Sequence, residues 1–106
     1  MRFEPNLVTL VWGTESWEAS ARAGRPSVVA SGPLAGRGLD ALKPGFPLLF
    51  KVIDAKLSLS VQVHPCEATA AITGGEPKTE MWCVLEPGPL YVGFRPGVGP
   101  DRKSVV

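Results

Sequence analysis

The stretch from Leu57 to Pro65 alternates between apolar and polar side chains, and this alternation constrains the fold more than any other feature. Apolar side chains at every second position, with Ser, Gln or His between them, have the two-residue period of a β-strand. Pro65 ends the run because proline has no N–H group to donate to a ladder. The sequence therefore predicts a strand whose polar face carries Gln62 and His64.

Gln62 and His64 together suggest a metal site. Two residues that are two positions apart on a strand share one face and lie about 7 Å apart along the backbone. His64 is the single histidine of the chain. An amide oxygen from Gln62 and an imidazole nitrogen from His64 can bind one metal ion. By pattern alone, a lone histidine at a strand end is more often a structural or surface residue.

Glycine and proline divide the rest of the chain into short pieces. The 12 glycines and 11 prolines are spread without a repeat, which is typical of turns between short strands. No segment has the length and period of a long helix, so we expect an all-β sandwich or barrel. One helical turn at 39–42 and a short helix at 66–73 are the predicted exceptions. The predicted strands are 7–12, 15–20, 27–30, 46–54, 57–64, 79–85 and 90–94.

Size and charge exclude several classes of protein. A chain of 106 residues forms one domain at most, and 44% apolar residues are enough for a core. A net charge of +1 without a basic run argues against nucleic acid or an anionic membrane as partner. The longest apolar run, 46–53, contains Lys51 and is too short to span a bilayer. Two cysteines and no signal-peptide pattern make the cytoplasm the expected location. Nothing in the sequence indicates an oligomeric state.

Glu80 completes the candidate metal site. It opens the predicted strand 79–85, which lies one connection after the strand of Gln62 and His64, so the two strands can pair. The three side chains would then converge as a mixed nitrogen and oxygen site suited to a divalent ion such as zinc. The alternative is a solvated Glu80 paired with Lys78 or Lys56, in which Lys78 is only a surface charge.

Five segments resemble, in the same order, the N-terminal half of type I mannose-6-phosphate isomerases. The resemblance covers about residues 12–99, and Gln-Val-His-Pro together with Lys-Thr-Glu-Met-Trp is its most specific part. The segments are Glu15–Ser20 (ESWEAS), Pro26–Gly36 (PSVVASGPLAG), Phe46–Ala55 (FPLLFKVIDA), Leu59–Pro65 (LSVQVHP) and Lys78–Trp82 (KTEMW).

The resemblance implies a fold, a cofactor and a reaction. The fold is a cupin-type (jelly-roll) β-barrel with one zinc ion, for which Gln62, His64 and Glu80 would be three of four ligands. Ser60 and Lys78 would line the pocket for a sugar phosphate. The reaction interconverts mannose 6-phosphate and fructose 6-phosphate by moving a proton between C1 and C2. The alternatives are a non-catalytic cupin-like sugar-binding module and a structural β-domain without a ligand.

The departures from the family pattern lead to further expectations. The family's fourth ligand is a second histidine, and its catalytic arginine also lies in the C-terminal half that has no counterpart here. We therefore expect an incomplete barrel over residues 1–100 that does not turn over substrate by itself. Cys66 offers a soft ligand beside the site, although a small exposed residue that starts a turn is the simpler interpretation. Residues 101–106 match a sequencing adapter read in frame, so we expect a non-native tail.

Overall fold

A computed structural model describes residues 1–91 and 96–97 of the chain. The chain divides into two compact units, Met1–Leu59 and Ser60–Val106. The first unit holds the sheet and the second holds every predicted site residue. Within the described residues, no helix is both long and apolar enough to cross a membrane. The predicted tail at 101–106 lies outside the described residues, and the single partial domain over 1–100 stays a prediction.

The first unit contains an antiparallel sheet of three strands in the order β1-β2-β3. Strand β1 is Leu7–Leu10, β2 is Gly13–Ala19 and β3 is Phe50–Ala55. The register pairs Glu15 with Ile53 and Trp17 with Lys51, so these four side chains share one face. The all-β class thus agrees with the described part, whereas the cupin-type barrel stays a prediction.

Several strand boundaries differ from the prediction. Strand β1 ends at Leu10, and the predicted turn at 13–14 is the start of β2. Only isolated bridges occur in 27–30, at Val28 and Val29. Strand β3 begins four residues later than predicted. Its burial on both faces was also a wrong expectation, because Phe50 and Val52 are 52% and 45% exposed.

The face of β2 and β3 that carries Glu15 holds a partly buried ion pair that the sequence did not reveal. Glu15 is 8% exposed and accepts a bond from Lys51 Nζ at 3.1 Å through Oε1. Its Oε2 accepts a bond from Trp17 Nε1 at 2.8 Å. The guanidinium of Arg25 lies over the Trp17 ring, 5.6 Å from its centroid. Both carboxylate oxygens are therefore satisfied, as a buried charge requires.

Beside the sheet, the first unit packs a small core. Val29 and Leu39 are buried, and the hydroxyl groups of Ser20 and Ser27 are buried with them. The two serines are bonded to each other: Ser20 N donates to Ser27 Oγ at 2.9 Å, and Ser27 N donates to Ser20 O at 2.8 Å. These bonds offset the cost of burying polar groups. The predicted helical turn is confirmed as α1, Leu39–Leu42.

The second unit confirms the predicted short helix. Helix α2 is Glu67–Thr73, with Cys66 as its N-cap. Its C-cap, Gly74, has φ of +68°, a left-handed conformation that glycine adopts without a Cβ clash. The predicted end of the helix at Gly74 is thus confirmed.

The strands predicted at 57–64 and 79–85 are not formed. None of their residues belongs to a strand, and the described part of the third predicted strand, Leu90 and Tyr91, does not either. The rest of that segment, 92–94, lies outside the described residues. An alternating pattern favours a strand only where a partner supplies the ladder and cover for the apolar face. Val61 and Val63 lack that cover, since they are 61% and 59% exposed.

Candidate functional site

Three of the predicted site residues meet at the carboxylate of Glu80. His64 Nε2 lies 3.1 Å from Glu80 Oε2, and Lys78 Nζ lies 3.0 Å from Glu80 Oε1. The chain between His64 and Glu80 contains α2, so a local helix and its flanking turns bring the two side chains together. The predicted meeting of His64 and Glu80 is therefore present, although it is made by irregular segments rather than by paired strands.

The environment keeps Glu80 ionised and accessible. The side chains of His64, Lys78 and Glu80 are 26%, 35% and 28% exposed, so the cluster is half-buried. Partial burial by itself would raise the pKa of Glu80, but the hydrogen bond and charge of Lys78, followed by those of His64, lower the pKa below its usual value. An ionised carboxylate next to an imidazole can accept a cation.

Gln62 and Ser60 form a second pair. Gln62 Nε2 donates to Ser60 Oγ at 2.7 Å. With its nitrogen directed to Ser60, the amide presents Oε1, the atom that can act as a metal ligand, on its other side. Among the described contacts, neither side chain is bonded to the cluster of His64, Lys78 and Glu80. The role of Gln62 as a ligand therefore stays a prediction.

If Glu80 is a solvated surface residue, its expected partner is Lys78 or Lys56. Lys78 is the partner in the structure, while Lys56 pairs with Asp54 at 3.1 Å. A half-exposed ion pair contributes about 0–1 kcal/mol to stability. The Lys78–Glu80 ion pair is expected whether Glu80 is a surface residue or a metal ligand, so it does not distinguish the two. The imidazole on the second carboxylate oxygen is the feature that favours a ligand site.

Cys66 contacts Thr69 of helix α2, and no described contact joins it to the cluster of His64, Lys78 and Glu80. Its Sγ lies 3.5 Å from Thr69 Oγ1, and its backbone N–H donates to the same oxygen at 3.1 Å. The side-chain bond to Thr69 and then backbone N–H groups lower the pKa of the exposed thiol. The structure thus favours the interpretation of Cys66 as a residue that starts a turn. Sequence reasoning missed Thr69, although a polar residue three positions after an N-cap is the usual sign of a capping box.

The imidazole nitrogen of His64 and the carboxylate of Glu80 are donor types that zinc accepts. Zinc binds imidazole nitrogen and carboxylate oxygen at about 2.0–2.2 Å, so two such ligands of a tetrahedral ion lie about 3.3 Å apart. His64 Nε2 and Glu80 Oε2 are 3.1 Å apart, which is the distance of the direct hydrogen bond between them. Among the described residues, no three His, Cys, Asp or Glu side chains form a cluster, so these residue types supply no third ligand there. The amide oxygen of Gln62 is the candidate for it.

Comparison with known proteins identifies the family. A family model described as phosphomannose isomerase type I, catalytic domain, matches residues 34–87, which is just over half of the chain. The matched segment contains β3, α2 and all five predicted site residues. The chain therefore belongs to the type I phosphomannose isomerase family.

Individual relatives agree with this assignment. GmuF, a probable mannose-6-phosphate isomerase of Bacillus subtilis strain 168, is 40% identical to this chain over 86 residues. The alignment covers 68% of this chain and 27% of GmuF. A mannose-6-phosphate isomerase of Streptococcus mutans is 42% identical over 84 residues, with 67% and 27% covered. The chain thus spans about a quarter of the length of these curated relatives. No solved structure gives a significant match.

Proposed function

We propose that this chain forms part of a zinc-dependent isomerase that interconverts mannose 6-phosphate and fructose 6-phosphate. The observation that carries the proposal is the 3.1 Å contact between His64 and Glu80, which lie 16 residues apart inside the family-matched segment. The names of the relatives support the reaction. On its cysteine content, we place the protein in the cytoplasm.

The chemistry requires stabilisation of negative charge on two neighbouring oxygens. Interconversion of an aldose and a ketose moves a proton between C1 and C2 through an enediol or enediolate. When bound, zinc supplies a Lewis acid for the charge that develops on O1 and O2. His64 and Glu80 would hold the ion from the imidazole nitrogen and from Oε2. Gln62 would add its amide oxygen as a neutral third ligand.

Lys78 and Ser60 take the substrate-binding roles in this proposal. The ammonium group of Lys78 is held at Glu80 Oε1, so it places a positive charge beside the proposed zinc position. A lysine in that position attracts an anionic sugar phosphate as a point charge. The hydroxyl of Ser60 is oriented by Gln62 and can bind a sugar hydroxyl. We assign no catalytic base.

We propose further that these residues alone do not sustain turnover. His64 is the chain's single histidine, and a glutamine amide is a weak zinc ligand. Catalysis also needs walls that exclude water and position the sugar. Among the described residues, the cluster of His64, Lys78 and Glu80 is half-exposed and lacks such walls.

A chimera with a relative tests the function. Residues 34–87 of this chain replace the matching segment of the Bacillus subtilis relative GmuF, and conversion of mannose 6-phosphate is followed by a coupled assay. We expect zinc-dependent turnover, and we expect His64→Ala in the chimera to lower kcat/KM at least about 100-fold. Glu67→Ala, on the exposed start of α2, is the matched control and should have little effect.

The outcomes separate the candidate functions. A chimera that is folded by circular dichroism, binds zinc and converts no substrate would contradict the isomerase proposal. If that chimera still binds mannose 6-phosphate, the non-catalytic sugar-binding module is favoured. Turnover that survives His64→Ala would show that the metal site lies elsewhere.

A further inference from the structure

Gly75 lies against the ring of Pro65, and this contact joins the two ends of the segment that carries α2. A Cβ at position 75 would lie 2.9 Å from Pro65 Cγ and 3.4 Å from Pro65 Cδ. Unlike Gly74, Gly75 does not have a left-handed φ. Glycine is therefore needed at position 75 for space rather than for its conformational freedom.

The Pro65 ring cannot move aside to admit a larger residue. It is closed on the backbone nitrogen, so Cγ and Cδ cannot rotate away as the end of an open side chain can. A side chain at position 75 must therefore displace the backbone of Pro65. His64 directly precedes Pro65, so the displacement reaches the imidazole.

Two threonine hydroxyl groups on α2 support the same contact. Thr69 Oγ1 accepts a bond from the N–H of Cys66 at 3.1 Å. Thr73 Oγ1 donates to the carbonyl oxygen of Thr69 at 3.1 Å and accepts a bond from the N–H of Gly75 at 3.3 Å. Pro65 and Gly75 are thus held together both by direct packing and through hydrogen bonds along the helix.

The contact shortens the loop that must close for His64 to meet Glu80. The two residues lie 16 positions apart in the chain. With Pro65 held against Gly75, the connection runs through one residue step to Pro65 and five from Gly75 to Glu80. Because closure probability falls with about the 3/2 power of loop length, a reduction to about seven steps favours the meeting about three- to fourfold.

We propose that Gly75 is a positioning residue for the zinc site, which holds His64 beside Glu80 through its contact with Pro65. The inference rests on the zinc site proposed above. Among the described contacts, none joins Gly75 to His64 or Glu80, so it acts through Pro65. Ligands that are already held together lose less conformational freedom when an ion binds, which raises the affinity.

The test is a pair of substitutions that place and then relieve the steric overlap. Gly75→Ala introduces the Cβ, and Pro65→Ala removes both ring atoms that this Cβ would meet. Gly88→Ala is the matched control, because Gly88 has no left-handed φ and a Cβ there has no neighbour within 4 Å. Thr73→Val removes the bond to Gly75 N–H without adding a side chain at position 75, and it serves if Gly75→Ala does not fold.

Two measurements on the full chain separate positioning from zinc binding. Without zinc, the nuclear Overhauser effect between the ring protons of His64 and the γ-protons of Glu80 reports whether the two side chains meet. With zinc, competition against a chromophoric chelator gives the affinity, and His64→Ala shows how much zinc is held elsewhere. Far-ultraviolet circular dichroism confirms that each variant is folded.

We expect Gly75→Ala to weaken both the Overhauser effect and the zinc affinity at least about threefold, and to weaken neither in the Pro65→Ala background. Thr73→Val should shift both in the same direction, and Gly88→Ala should change neither. Wild-type values for folded Gly75→Ala, or an equal loss in the Pro65→Ala background, would overturn the inference; if Gly75→Ala does not fold, wild-type values for Thr73→Val would do so. If the Overhauser effect responds as expected but His64→Ala leaves zinc binding unchanged, the positioning contact stands and the proposed zinc site fails.

Discussion

Replacing Glu15 by alanine should destabilise the sheet of the first unit. The Glu15 side chain is 11% exposed, and its two oxygens accept bonds from Lys51 at 3.1 Å and Trp17 at 2.8 Å. A bond to a charged group contributes about 1.5–3 kcal/mol, and breaking a buried pair costs about 3–5 kcal/mol. Lys51 is 21% exposed and can partly reach water, so we expect a loss of about 3 kcal/mol.

The assay is urea unfolding followed by far-ultraviolet circular dichroism. The matched control is Glu18→Ala, because Glu18 lies on the same strand, is exposed, and accepts a bond from Ser16. It should cost no more than about 0.5 kcal/mol. Lys51→Met and the double variant complete a mutant cycle, in which we expect a coupling of about 1–2 kcal/mol with Glu15. A loss for Glu15→Ala that equals the control would refute the reasoning.

Two further predictions concern single residues. Lys78→Met removes the main group that lowers the pKa of Glu80, so a carbon-detected NMR titration should show that pKa rising above the wild-type value. Because the folded-state pKa of Glu80 is depressed, its contribution to the free energy of unfolding is complete above the unfolded-state pKa and is lost as pH falls through the folded-state pKa. Lys78→Met should therefore reduce the stability that is lost on acidification. An unchanged dependence of the free energy of unfolding on acidic pH would contradict this. Gly13→Ala should cost at least about 2 kcal/mol in urea unfolding, since φ is +153° and a Cβ would overlap the carbonyl oxygen of Asp54. Gly24→Ala, at φ of +80° in open space, is its control and should cost about 1 kcal/mol; equal losses would contradict the steric argument.

Local patterns predicted the elements that local interactions can form. The helical turn α1 and the helix α2 were predicted as short segments that end at a proline or glycine, Pro44-Gly45 after α1 and Gly74-Gly75 after α2. Strand β2 followed from the alternation around Trp17. The ion pair of Glu15 with Lys51 joins residues 36 apart, and no sequence spacing indicates which lysine reaches a given carboxylate.

The strands of the candidate site show the other limit of sequence reasoning. The alternation at 57–64 is real, but a strand depends on its partner, and the described part provides none for this segment. The contact of His64 with Glu80 was nevertheless predictable, because both the chemistry of the side chains and the family resemblance point to it. The orientation of Gln62 toward Ser60 was not, since an amide has several bonding options.

X-ray absorption at the zinc K-edge of the zinc-loaded chain tests the proposed ligand set most directly. The account predicts one imidazole, seen by its multiple scattering, and oxygen ligands at about 2.0–2.2 Å, with no sulfur in the first shell. His64→Ala should remove the imidazole signal, while Glu67→Ala should leave the spectrum unchanged. A sulfur shell at about 2.3 Å would place the ion on Cys66 or Cys83 instead, and would contradict the assignment of Gln62, His64 and Glu80 as the zinc ligands.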